Sequence, residues 1–218
     1  LQPLFDRPRR ITIPYDIGAE SGEGDGTDGK KGFVTTNWMM IENDDPETTL
    51  GLNILEHILI GTPASPLRKA LIDSGLGEDL AGSGLNASMR QMSFSTGLKG
   101  IAVEDADRVE ALIDETLTEL AEQGIEFETV EASLNTIEFQ LRENNTGRYP
   151  RGLGLMFRAL STWLYDGDPL EPLAFEEPLQ AIRRRIDQGE AYFEDLIRQH
   201  LLDNAHRTRV LLEPDPQI

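Results

Sequence analysis

The sequence predicts an α+β fold: one mostly antiparallel sheet covered by helices. Three observations lead there. Short runs rich in β-branched and aromatic residues occur before position 102 and once more near the end of the chain. Apolar residues at helical spacing dominate between about 104 and 202. Strands and helices do not alternate strictly, as a doubly wound parallel sheet would require.

Residues 1–9 contain two prolines and read as a linker. Arg10 to Tyr15 alternates polar and apolar side chains, the pattern of a short strand. Asp16 to Lys31 is rich in Gly, Asp and Glu and predicts an exposed, mobile loop. Gly32 to Ile41, with Phe33, Val34, Trp38 and Met40, has the composition of a buried strand. Asp45 can then cap a helix whose first turn holds Pro46 and which Gly61 ends. Leu50, Leu52, Ile54, Leu55, Ile58 and Leu59 make that helix apolar over most of its surface, so it should be largely buried. Ser65 and Pro66 start a short helix to Ser74, with Gly75 as its stop.

Leu80 to Leu85 and Gln91 to Ala102 read as strands that fit a hairpin, with Gly82-Ser83-Gly84 at a strand end or bulge. Glu104 to Gln123 is amphipathic, with Val109, Leu112, Ile113, Thr116, Leu117 and Leu120 on one face. A second long helix, about Glu128 to Asn144, repeats Val130, Leu134, Ile137 and Leu141. Tyr149 to Tyr165 is helical and apolar, and 166–172 is a turn-rich break. Helices follow at about Leu173 to Arg185 and Gly189 to Leu202, and Arg207 to Glu213 is a closing strand. Residues 10–216 read as a single domain with 217–218 as a tail, because no internal linker is long enough to separate two cores.

Composition narrows the function. At 218 residues and 39% hydrophobic, the chain can bury a sizeable core. It has no apolar run long enough to span a membrane. Leu1 to Arg10 has no signal-like apolar run, and the absent initiator Met fits a segment of a longer protein. The lack of cysteine excludes disulfides and thiolate metal sites and fits a reducing compartment. A net charge of −19 argues against nucleic acid as a partner, since phosphate binding needs clustered cations. Sixteen Arg against four Lys admits three readings: GC-rich codon usage, a salt-adapted surface, or an acidic cavity for basic peptides.

One motif carries chemistry. The inverted zinc-peptidase motif, His-x-x-Glu-His, puts two imidazoles four residues apart on one helical face, with a Glu beside them as general base. This chain has Asn53-Ile54-Leu55-Glu56-His57, so a carboxamide stands in place of the first His. A catalytic zinc needs three protein ligands and an open position. Taken alone, His57 reads as an ordinary packed or partly exposed histidine and Glu56 as a solvated or paired acid. His200 and His206 form no two-ligand spacing with His57, and His206, just before the last strand, reads as a capping or surface residue. There is no Gly-x-Ser-x-Gly elbow, and Gly152-Leu-Gly-Leu-Met156 lacks dinucleotide-binding spacing. Arg142, Asn144, Asn145 and Arg148 form a polar cluster suited to capping and interdomain hydrogen bonds.

Two long blocks give the motif its setting. Gly61-Thr-Pro-Ala-Ser-Pro-Leu-Arg-Lys-Ala-Leu-Ile-Asp-Ser-Gly-Leu-Gly77 resembles the presequence proteases of the pitrilysin/insulinase family. So does Val130-Glu-Ala-Ser-Leu-Asn-Thr-Ile-Glu-Phe-Gln-Leu-Arg-Glu-Asn-Asn-Thr-Gly147, followed by Pro150-Arg-Gly-Leu153. The resemblance runs from about Arg9 to Pro216. It implies four homologous domains in two halves closing around a chamber, with zinc and an intact motif in the first domain. This chain resembles the second, non-catalytic domain, with no cofactor or catalytic residue of its own and zinc in the parent enzyme. On that reading Asn53, Glu56 and His57 are degenerate motif positions. The third-ligand position falls near Glu131, with Glu138 as the other candidate, and neither is expected to bind metal. The implied partners are the other domains of the parent and unfolded peptides, with no nucleic acid and no membrane. The implied location is the cytoplasm in a bacterium, or a mitochondrial or plastid matrix. Two rivals remain: a scaffold or interaction protein of the same descent, and an independent enzyme recruiting zinc through Glu56, His57 and an unconventional ligand.

Overall fold

The computed structural model describes residues 3–16, 32–144, 150–215 and 217–218. Apart from Asp16, the segment expected as a mobile loop lies outside them, as do Asn145 and Arg148 of the polar cluster. Five strands, β1 (Arg9–Tyr15), β2 (Gly32–Glu42), β3 (Asp79–Asn86), β4 (Gln91–Ile101) and β5 (Arg207–Pro214), form one sheet in the order β1-β5-β2-β4-β3. Every pairing is antiparallel except β1 with β5. The last strand of the chain therefore sits between the first two. Arg9 opens β1, so the expected linker is one residue shorter than its reading.

Side chains alternate across a strand, and the central strands use this to build the core. Val34, Thr36, Trp38 and Met40 of β2 are buried, as are Met92, Phe94, Thr96 and Leu98 of β4, while the intervening β2 residues are half-exposed. The expected hairpin of β3 and β4 is present. Its register shifts between Ala81 and Gly84, and Gly82 and Gly84 both adopt positive φ, so the pair forms a bulge that other residues would enter only with strain.

Seven α-helices are found among the described residues: α1 (Pro46–Ile60), α2 (Pro66–Asp73), α3 (Ala106–Gln123), α4 (Phe127–Glu143), α5 (Arg151–Trp163), α6 (Glu176–Asp187) and α7 (Tyr192–Ile197). The Asp45 carboxylate accepts the Thr48 N–H at 3.1 Å and Pro46 takes the first helical position, as the local sequence dictates. α1 is the central helix: it touches α2, α4, α6, α7 and β3, which is why its apolar residues run almost all round. α7 approaches so closely that a Cβ on Gly51 would lie 2.2 Å from the Tyr192 hydroxyl. α3 lies against β2 and β4 and joins the sheet to α2 and α7.

The second half departs from the sequence reading in detail. A single 3-10 turn, Val103–Asp105, precedes α3. α6 starts at Glu176, which leaves Pro172 in a separate turn and Pro178 in the first helical turn, where a missing N–H costs nothing. The helix expected from Gly189 starts at Tyr192, because Gly189 (φ 77°) is in a left-handed turn. It ends in a π-helical turn, Arg198–Leu202, closed by the Asp203 N–H on the Arg198 carbonyl at 2.8 Å.

His206 differs from its expected surface role. It is buried, with its ring centroid 4.0 Å from that of Phe5, which comes from the segment read as linker. Burial holds the imidazoles of His57, His200 and His206 below the usual histidine range, and the Arg9 charge adds to this at His206. Folding thus favours the neutral rings. Native stability is complete above the unfolded-chain value of about 6.5 and is lost as pH falls through it toward the lower folded values. Thermal unfolding between about pH 7.5 and about pH 5 should show Tm falling with acid. His206→Phe keeps the stack on Phe5 without the titrating ring, so it should flatten part of that slope. An unchanged slope would place the acid sensitivity elsewhere.

Candidate functional site

The degenerate motif lies on the C-terminal half of α1, and each of its three side chains is engaged separately. Asn53 Nδ2 donates to the Thr49 carbonyl one turn back, at 3.1 Å. Glu56 reaches the edge strand β3, where Oε1 accepts the Leu85 N–H at 3.1 Å. His57 Nδ1 lies 3.0 Å from Ser133 Oγ, a buried hydroxyl on α4. The His57 carbonyl accepts from the Gly61 N–H and the Ser65 hydroxyl, both at 3.0 Å. The His57 ring lies on Gly61, where an added Cβ would come within 2.7 Å of it. This half of α1 is thus tied to β3, to α4 and to the turn that follows it.

The α4 residue facing His57 is Ser133, and not Glu131, the expected third-ligand position. Positions two residues apart on a helix are separated by about 200°, so Glu131 is exposed on another face of α4. Glu138 is occupied as well: its carboxylate accepts from Arg142 and Arg183, which hold it below the usual carboxylate range. These donors do not fit a zinc ion. Among the described residues no three His, Cys, Asp or Glu side chains converge on a point where a metal could sit, and the motif side chains diverge to three different partners.

Burial raises the Glu56 carboxyl, and the Leu85 N–H opposes this. A raised folded value means that the group's contribution is fully present below the unfolded value of about 4.3 and is lost as pH rises through the folded one. Glu56→Gln keeps an oxygen acceptor for Leu85 without the cost of a half-buried charge, so it should be neutral or slightly stabilising at pH 7. Glu56→Ala leaves that N–H unpaired and should cost about 1 kcal/mol. Urea unfolding of both variants checks this; equal effects would remove the Leu85 bond from the account.

Beside the motif is a cavity of about 530 Å³. Asn53, Leu50 and Thr49 of α1, Ile137, Gln140 and Leu141 of α4, Phe157 and Arg158 of α5, and Glu171, Pro172, Ala174, Phe175 and Pro178 are among the residues that line it. The sequence reading did not single out Ser133, Arg158 or the cavity. No local pattern marks them, because the lining comes from segments far apart in the chain.

A five-stranded sheet covered by helices, with Asn53, Glu56 and His57 each held by a separate hydrogen bond, defines an α+β domain in which no metal centre is assembled among the described residues. Solved structures share the fold. One is the inactive peptidase domain of a protein from Bordetella parapertussis (TM-score 0.66, 18% identity, 86% of this chain and 92% of that one). Another is a protease from Helicobacter pylori (TM-score 0.68, 13% identity, 97% of this chain and 45% of that one). The chain belongs to the peptidase M16 family: the peptidase M16 inactive domain matches residues 17–137. It is 48% identical over 219 residues to presequence protease 1, chloroplastic/mitochondrial, of Arabidopsis thaliana, covering 99% of this chain and 20% of the relative. It is 32% identical over 217 residues to the mitochondrial presequence protease of Xenopus laevis, again covering 99% of this chain and 20% of the relative. The chain thus spans about a fifth of the length of these relatives.

Proposed function

We propose that this chain is the catalytically silent second domain of a presequence-protease-like zinc endopeptidase, and that it supplies wall and interdomain packing for a chamber in which unfolded peptides are degraded. The observation that carries the reading is α5. This helix packs mainly on the turn at 171–173, and Thr162 is its one buried residue. Met156 (45% exposed), Trp163 (62%) and the adjoining Leu164 (67%) face outward. Exposed aromatic and aliphatic side chains close together mark an interaction surface, and four fifths of the relatives' length lies outside this chain and can cover it. Zinc and its chemistry belong to another segment of the parent, and this domain holds shape. The proposed location is the matrix of a mitochondrion or plastid, which the relatives' names support, or the cytoplasm if the parent is bacterial. The −19 charge adds a preference for basic peptides wherever this surface faces substrate.

The test uses the full-length parent. Trp163→Ser with Leu164→Ser should lower peptidase activity at least several-fold and expose the domain boundary to limited proteolysis, while zinc content stays unchanged. Full activity and unchanged protection would remove the packing role. A stoichiometric zinc in the chain itself, lost on His57→Ala, would overturn the silent-domain reading.

A further inference from the structure

The cavity beside α1 has a chemistry that the silent motif does not explain. Arg158 lines it and is half-buried. Among the described residues its guanidinium makes one long hydrogen bond, 3.5 Å to Asn144 Oδ1, and no ion pair, in a chain with 39 acidic residues. Nearby arginines each have a carboxylate partner: Arg142 and Arg183 share Glu138, which balances one of their two charges, and Arg185 pairs with Glu47 and Glu190. Glu171 also lines the cavity without pairing to Arg158. The apolar part of the lining is Leu50, Ile137, Leu141, Phe157 and Phe175, and the Arg142 guanidinium lies 5.6 Å from the Phe175 ring centroid. Two of the lining amides are already in use, while Thr49 Oγ1 is buried without a partner among the described residues. Asn43 Nδ2 donates to the Ala87 and Ser161 carbonyls, and Asn53 Nδ2 to Thr49.

A planar donor fork beside an apolar wall selects a carboxylate joined to an apolar group. A volume of about 530 Å³ is within the range of small-ligand sites. We propose that this cavity binds the C-terminal end of a peptide, with Arg158 holding the terminal carboxylate and the Phe157 and Phe175 rings holding the last apolar side chain. A C-terminal residue presents both features on one α-carbon, and the lining of this one cavity includes a complement to each. The site rests on the cavity itself and does not depend on whether the chain lines a peptidase chamber.

Calorimetric titration of this chain with N-acetyl-Ala-Phe, its C-terminal amide, and N-acetyl-Glu-Phe-amide tests the proposal. The free acid should bind at least about tenfold tighter than either amide, the scale of one charge-assisted contact. Arg158→Gln should abolish that preference with thermal unfolding unchanged, and Phe157→Ser should weaken all three peptides alike. Equal binding of acid and amide, no binding of the acid, or a preference that survives Arg158→Gln overturns the site. Tighter binding of the Glu-containing amide overturns the terminal carboxylate in favour of an acidic side chain.

Discussion

Gly97→Ala should come close to preventing this chain from folding. Gly97 lies in β4 opposite Thr35 of β2 and Ala81 of β3, with a strand on either side. A Cβ there would stand 1.9 Å from the Val34 carbonyl oxygen and 2.8 Å from the Thr35 Cα. Both are backbone atoms of a central strand, so no side chain can rotate away, and relief comes only by prying β2 from β4. Overpacking with rotatable neighbours already costs about 1–3 kcal/mol. Adding the loss of ladder hydrogen bonds puts the expected cost above about 3 kcal/mol, against a total stability of about 5–15 kcal/mol for a typical domain. Gly152→Ala is the contrast: nothing lies within 4 Å of its Cβ position in α5, so it should be neutral or stabilising by up to about 1 kcal/mol. Chemical unfolding of the two variants side by side decides the matter, and similar effects would mean that contact with Val34 is not what requires Gly97.

Trp38→Ala should be the most costly side-chain truncation. Trp38 is 1% exposed, its ring centroid lies 5.7 Å from that of Phe94, and Nε1 donates to the Leu201 carbonyl at 2.9 Å. That bond ties β2 to the π-helical turn. Truncation opens a large cavity and leaves a buried carbonyl unpaired, for an expected loss of about 4 kcal/mol. Trp38→Phe refills most of the space and loses the bond, so it should cost about half as much. If both cost the same, the hydrogen bond rather than the packing would dominate at this position.

The legible parts of the fold were those encoded by neighbours in sequence. The period-two burial of β2, the Asp45–Pro46 start of α1, the Gly82–Gly84 bulge and the helical spacing of α3 and α4 all follow from residues within a turn or two of each other. The family was legible because the 61–77 and 130–147 blocks are long. Helix starts in the last third were less legible: Pro172, Pro178 and Gly189 each permit two registers, and packing of Phe175 and Tyr192 against the core goes with the observed ones. His206 was misplaced because its burial depends on Phe5, some two hundred residues away. Likewise, Ser133 rather than Glu131 meets His57 because the rotation of α4 is set by the burial of Val130, Ser133 and Leu134.

The missing first histidine now has a physical context. By itself the sequence determined that this is an α+β domain of peptidase type with Asn53 in place of the first motif His, because composition, periodicity and motif are local properties of the chain. Only the tertiary structure decided what became of the remaining motif residues: Glu56 binds an edge-strand N–H, His57 meets a serine, and Asn53 turns back on its own helix beside a cavity whose Arg158 has no ion pair among the described residues. Those partners come from β3, α4 and α5, and which of their side chains meet α1 depends on how the helices pack, which no short stretch of sequence encodes.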